Sequence, residues 1–207
     1  MYLDEKLVQM ELKRNAKPDD NEAAEKLKEE ILRQEQEQPP VADFISALSK
    51  GTVNLKGNDQ ACETQSFLDG NAHLFVFPDD VETIWQRDNM TSIIYKTLDI
   101  GANLMYTNAP LAVKNEKEYQ QKMKEQLKKD GLLYCPLNAG RLNSGRTRIF
   151  YATGITTSKV GGIFVVHFYY KYKATIVMGS LTCKLMDRFF YENLFLAMLH
   201  LICEEEE

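Results

Sequence analysis

The chain is poor in the residues that carry most enzyme chemistry. Its only histidines, His73, His167 and His200, are far apart, and none stands at helical spacing from another ligand type. A short His-based metal motif is therefore missing, and each ring, flanked by apolar neighbours, reads as a hydrogen-bonded core or boundary residue. Cys62, Cys135, Cys183 and Cys203 form no CxxC pair and have no close histidine. That removes the usual zinc and thioredoxin-like spacings and leaves reduced thiols packing as small apolar groups. No HExxH, GxSxG, P-loop or GxGxxG arrangement occurs, so neither a metal nor a cofactor is expected.

Long apolar runs and a basic field are missing as well. No stretch approaches the roughly 20 apolar residues needed to cross a bilayer, and the N-terminus is charged from Asp4 onward. The expectation is a soluble, cytoplasmic chain without membrane insertion, although a chain whose leader had been removed would read the same. The formal net charge is −5, and Glu204 to Glu207 supply part of it. Nothing there would hold a phosphate backbone, so nucleic acid is not an expected partner.

What is present is concentrated in the last third. Thr147 to Thr156, Ile163 to Tyr170 and Ala174 to Thr182 are rich in β-branched and aromatic residues, which predicts three strands. Gly161 and Gly162 predict a hairpin loop between the first two. Around Lys171 to Lys173, two strands with a tight turn are preferred over one long bent strand. After Cys183 the apolar period becomes helical, with Asp187 as the expected N-cap. Phe195, Leu196 and Leu199 make that helix apolar nearly all round, so it needs cover on more than one side, from the domain or from a second molecule.

Upstream, Met1 to Gln38 is helix-forming but thinly apolar, and reads as a charged helical extension of two helices ending in the QEQEQPP stretch. Residues 39–70 read as linker and short helix, with Phe44, Ile45 and Leu48 on one face, and residues 71–207 as the sandwich domain. Ala72 to Phe77, Met90 to Leu98 and Ala102 to Thr107 are expected strands, with Gly101 in a short loop between the last two. Asp79 to Trp85 reads as a turn or short helical piece. Asn115 to Asp130 is the clearest surface helix, with Asn115 as N-cap. Leu132 to Cys135 is read as a strand before Pro136 and a loop to Gly145.

The order of these elements from Leu74 to Ile202 resembles the PsbP-like α/β/α sandwich superfamily. The features that carry the resemblance are the Phe75 to Pro78 strand end, the Tyr119 to Leu127 helix, the Gly161-Gly162 hairpin and the closing Tyr191 to Ile202 helix. It implies an α+β fold, an antiparallel sheet flanked by helices, here with an N-terminal helical extension. It also implies binding rather than catalysis, since members include photosystem subunits, Ran regulators and type VI effector chaperones.

Two surfaces are candidates. Arg141, Arg146 and Arg148 lie among Gly, Ser and Asn in Gly140 to Arg148, which reads either as a solvated loop or as a contact for an acidic partner or phosphate. Tyr169, Tyr170 and Tyr172 include neighbours that cannot share one strand face. With Phe195 and Leu199 they are candidates for a protein-partner surface, of which a homodimer is the simplest form. The expected function is a non-enzymatic protein-binding or adaptor protein, of the kind of a bacterial secretion-effector chaperone. A toxin-immunity protein that plugs a partner's site is one alternative. An enzyme with a dispersed site, His167 with Arg146 or Asp79, is the other.

Overall fold

The computed structural model describes residues 39–202 except 69, 71, 97–99, 108–114, 130–132, 159–160 and 173–174. The chain divides after Gln38. The helices expected within Met1 to Gln38, Cys203 and the Glu204 to Glu207 tail lie outside the described residues. Paired prolines bar helix at their own positions, and helix α1 (Val41–Ser49) starts directly after Pro40. Three short strands follow, β1 (Thr52–Leu55), β2 (Asn58–Ala61) and β3 (Glu63–Phe67), then β4 (Ala72–Val76). β1 pairs with β2 and β3 with β4 as separate two-stranded ribbons. Residues 39–70, expected as linker and short helix, are thus part of the folded body. Phe44, Leu48, Val53, Leu55 and Phe67 enter the main core, and the small apolar content of the segment hides this in the sequence because its strands bury at most two side chains each.

The central sheet is antiparallel and has seven strands: β5 (Val81–Arg87), β6 (Met90–Tyr95), β7 (Ile100–Thr107), β8 (Tyr134–Ser144), β9 (Thr147–Ser158), β10 (Gly161–Tyr172) and β11 (Thr175–Lys184). Their order is β5-β6-β7-β11-β10-β9-β8. Helix α2 (Glu116–Lys129) precedes β8, and helix α3 (Arg188–Leu201) closes the fold. The turn near Lys171 resolves into two paired strands, with Tyr172 opposite Thr175.

Several local expectations fail for identifiable reasons. Asp79 to Trp85 is a single 3₁₀ turn, Pro78–Asp80, followed by strand β5. The Pro136 to Gly145 loop is instead the body of β8, where proline is tolerated because the strand is at the sheet's edge beside a bulge between Pro136 and Ala139. Gly101 and Gly162 lie within strands, not in loops. A Cβ at Gly162 would come 2.9 Å from Leu185, and one at Gly101 3.0 Å from the Thr182 hydroxyl. Close packing, not reversal of the chain, is what these two positions require.

Helices lie on both faces of the sheet, and this explains the nearly continuous apolar runs. Along β10, Phe164, Val166, Phe168 and Tyr170 join the main core with α3. Tyr169, on the other face, packs with Tyr119 of α2 and Ala152 of β9. Helix α2 starts where Asn115 was expected to cap it, its side-chain oxygen accepting from the Glu118 amide at 3.0 Å. Asp187 does not cap α3 with its side chain; it accepts instead from Lys56 Nζ at 2.7 Å. The cover that α3 needs comes from the domain itself, with α1 on one side and strands β8, β10 and β11 on the other.

Candidate functional site: an open sheet edge and a hollow

The two edges of the sheet are guarded differently. β8 carries Pro136, has a bulge, and is packed by both α2 and α3. β5 has neither proline nor lysine, and every residue from Glu82 to Arg87 is exposed. Natural edge strands usually carry such guards, because unpaired backbone groups invite another strand. β5 has the irregularity between Val81 and Thr83 and, near its two ends, the charges of Glu82 and Arg87.

Register places an apolar patch beside this edge. Trp85 stands opposite Ser92, Thr83 opposite Ile94, and Arg87 opposite Met90. Cross-strand partners share a face, so Trp85 lies diagonally between Met90 and Ile94, within reach of both at roughly 7–8 Å. Trp85, Met90 and Ile94 are 47%, 44% and 50% exposed. The same face carries Tyr169 and α2 at its other end, through the row Met90, Met105, Met178, Tyr169. Helix α2 packs on β8 and β9, which leaves β5 and β6 without its cover. The sequence signal was weak because Thr83, Ile84 and Trp85 follow a proline and two aspartates that read as a turn.

The tyrosine and α3 surface is not a surface. Tyr169, Tyr170, Phe195 and Leu199 are 7%, 1%, 0% and 0% exposed; the Tyr172 side chain lies outside the description. Two neighbouring tyrosines cannot enter one core, but here each face has its own. Tyr169 sits 4.7 Å from the Tyr119 ring and stacks on Phe150 at 5.1 Å, while Tyr170 stacks with Phe168 at 6.4 Å. The opposite face is apolar as well, because α2 covers it.

The three arginines belong to the β8–β9 hairpin. Its backbone is committed to a ladder in which Arg141 faces Phe150 and Asn143 faces Arg148, so it cannot curl around an anion as a loop would. Arg146 follows Gly145 in the turn, where φ is +53°. Of the three, Arg141 alone borders a hollow of about 450 Å³, together with Asn143, Tyr151 and His200 over an apolar floor of Val41, Leu142 and Leu196, but its side chain alternates onto the face of Phe150, opposite that of Tyr151. His200, read from sequence as a bland boundary residue, has Nδ1 3.2 Å from the Asn143 carbonyl.

His167 is interior. Burial lowers its pKa from 6.5 to about 4, and its Nε2 has no hydrogen-bond partner. Its ring meets the edge of Tyr134 at 5.7 Å, and it pairs in register with Ala152. Arg146 is six residues from Ala152 along the chain, roughly 20 Å at strand rise. The fold therefore does not bring His167 and Arg146 together. Among the described residues, no cluster of three or more His, Cys, Asp or Glu side chains is placed to hold a metal. Cys62 and Cys183 are buried free thiols, and burial raises the pKa of both, that of Cys62 to about 11. No helix of the described residues is long and apolar enough to cross a membrane.

No family model and no curated protein matches the chain. Its fold, however, overlays that of cyanobacterial PsbP (CyanoP) from Synechocystis sp. PCC 6803 with a TM-score of 0.52, at 7% identity, over 71% of this chain and 94% of that one. The fold is PsbP-like. Two further structures, from Pseudomonas aeruginosa and Bacteroides thetaiotaomicron, align with a TM-score of 0.44 at 8% identity over 70% of this chain and 99% and 49% of theirs. At such identities the likeness concerns architecture alone, and the open edge and the hollow are features of this chain's own residues.

Proposed function

We propose that this protein is a non-catalytic protein-binding module that takes an extended segment of a partner protein as an additional strand along β5. The observation that carries this reading is the edge strand exposed from Glu82 to Arg87 beside Trp85, Met90 and Ile94. In strand addition, main-chain hydrogen bonds supply affinity and side-chain contacts supply selectivity. Here the open backbone offers the first, and the apolar patch favours alternate apolar side chains in the incoming strand. An apolar edge flanked by Glu82, Arg87 and Asp88 fits a chaperone-type client segment better than the charged plug of an immunity protein. The separation of His167 from Arg146 weighs against an enzymatic site built on that pair.

The chain's single tryptophan is Trp85, which makes the test direct. A partner isolated from the native cell is expected to shift tryptophan emission to the blue, and Trp85→Glu and Ile94→Lys are each expected to weaken its capture. Both positions are exposed, so stability should change by no more than about 0.5 kcal/mol. Undiminished capture by both variants, with unchanged emission in the parent chain, would remove β5 as the docking edge.

A further inference from the structure

We propose that a second copy of this chain docks on β5, the two β5 strands pairing antiparallel about a two-fold axis at Trp85 and joining two seven-stranded sheets into one. The inference rests on the reading of β5 as a strand-accepting edge, and it names what occupies that edge when no client is bound. β5 ends the sheet. Its regular part runs from Thr83, past the irregularity that follows Val81, to Arg87 at the turn.

Register decides which backbone groups face outward. Arg87 and Met90 are paired across a two-residue turn, Asp88 and Asn89, with Asp88 at φ +46°, so they are bonded to each other. Bonding alternates along an antiparallel strand. Trp85 and Thr83 therefore also turn their amides and carbonyls towards β6, while those of Gln86 and Ile84 point to the open edge. A two-fold axis at Trp85 sets Ile84 of each copy opposite Gln86 of the other, which forms about four main-chain hydrogen bonds. An axis at Ile84 would match Ile84 with itself and leave Gln86 against Glu82 at the irregularity, with only about two well-placed bonds. In the favoured register Trp85 meets Trp85 of the other copy at a non-bonded position, where Cα atoms stand about 4.5 Å apart and side chains approach most closely. The axis is normal to the sheet, so the two patches of Trp85, Met90 and Ile94 lie on one face and merge across it. The antiparallel sense also brings the Arg87 end of each strand beside the Glu82 end of the other, with Asp88 past the ladder in the turn. A second copy thus supplies edge bonds in register, an aromatic partner for Trp85 and opposite charge at each end of the ladder.

The test is sedimentation equilibrium of the purified full chain, without a client, from about 5 micromolar to about 1 millimolar, with circular dichroism and tryptophan emission over the same range. A monomer–dimer equilibrium is expected, with a dissociation constant on the order of 100 micromolar or tighter, as suits a small interface. Because the chain's single tryptophan is Trp85, the dimer should show the paired bands of two coupled indoles in circular dichroism, and blue-shifted emission. Gln86→Pro removes an outward amide and leaves the β5–β6 ladder intact, and Trp85→Glu sets like charges opposite each other across the axis. Each should weaken association by about tenfold or more. A strict monomer at about 1 millimolar overturns the inference, and leaves the strand-accepting reading of β5 to be decided by capture of a foreign partner. A dimer retained by either folded variant, or one without the coupled bands, overturns it too, because the copies then meet elsewhere or in another register.

Discussion

His167 ties the stability of the sheet to pH, and the effect follows from its place in β10. The residue is half-buried; its ring has Tyr134 at its edge, and its Nε2 is shielded from solvent and finds no partner. A charged imidazolium there would lose its water without compensation, which is why burial lowers its pKa from 6.5 to about 4. Between those values the unfolded chain binds a proton that the folded chain refuses. Stability is therefore full above about pH 6.5, falls as the pH drops, and the loss levels off near pH 4, where the folded ring also protonates. A gap of that size corresponds to about 3 kcal/mol. Carboxylates titrate over part of the same window, so the informative quantity is the difference between the parent chain and His167→Gln. Urea unfolding at pH 7.5 and pH 4.5 should show the variant losing less stability on acidification, by on the order of 2 to 3 kcal/mol. Equal losses in the two chains would mean that the ring is hydrated or paired in solution, and that its burial has been misjudged.

Truncating Leu194, which is fully buried in α3, to alanine should cost about 2 to 5 kcal/mol in urea unfolding; a cost within about 0.5 kcal/mol would place the wrong face of α3 inward. Gly179→Ala should destabilise by about 1 to 3 kcal/mol, because the new Cβ would lie 2.3 Å from the Phe168 ring and 2.8 Å from the Asn103 carbonyl oxygen. An unchanged urea midpoint would show that Phe168 can move aside. Deleting Met1 to Gln38 should leave a cooperative thermal transition, since the main core draws on Val41 and residues beyond it. A broad, non-cooperative melt of the truncated chain would mean that the folding unit extends upstream of Pro39.

The strands from Thr147 onward, the Asn115-capped helix and the closing helix could be read from local chemistry, because each depends on interactions a few residues apart. Periodicity, capping and β-branched runs are local signals. The elements that were missed are those whose identity depends on distant partners. Val81 to Arg87 has no burial pattern of its own and is a strand only because Met90 to Tyr95 lies beside it. Pro136 to Ser144 is a strand because Thr147 to Gly154 holds it at the edge.

The candidate sites divide in the same way. The sequence by itself determined that the common short catalytic and metal motifs are missing, that α3 requires cover on more than one side, and that Tyr169 and Tyr170 face opposite ways; each follows from residue type and spacing. Only the tertiary structure decided that both tyrosines are interior, since that required α2 to lie on the second face of the sheet. It also decided that positions as distant as Val41, Tyr151 and His200 border one hollow, which neither Arg146 nor Arg148 lines. The residues of that hollow run from Val41 to His200, and no local spacing encodes a meeting between positions so far apart in the chain.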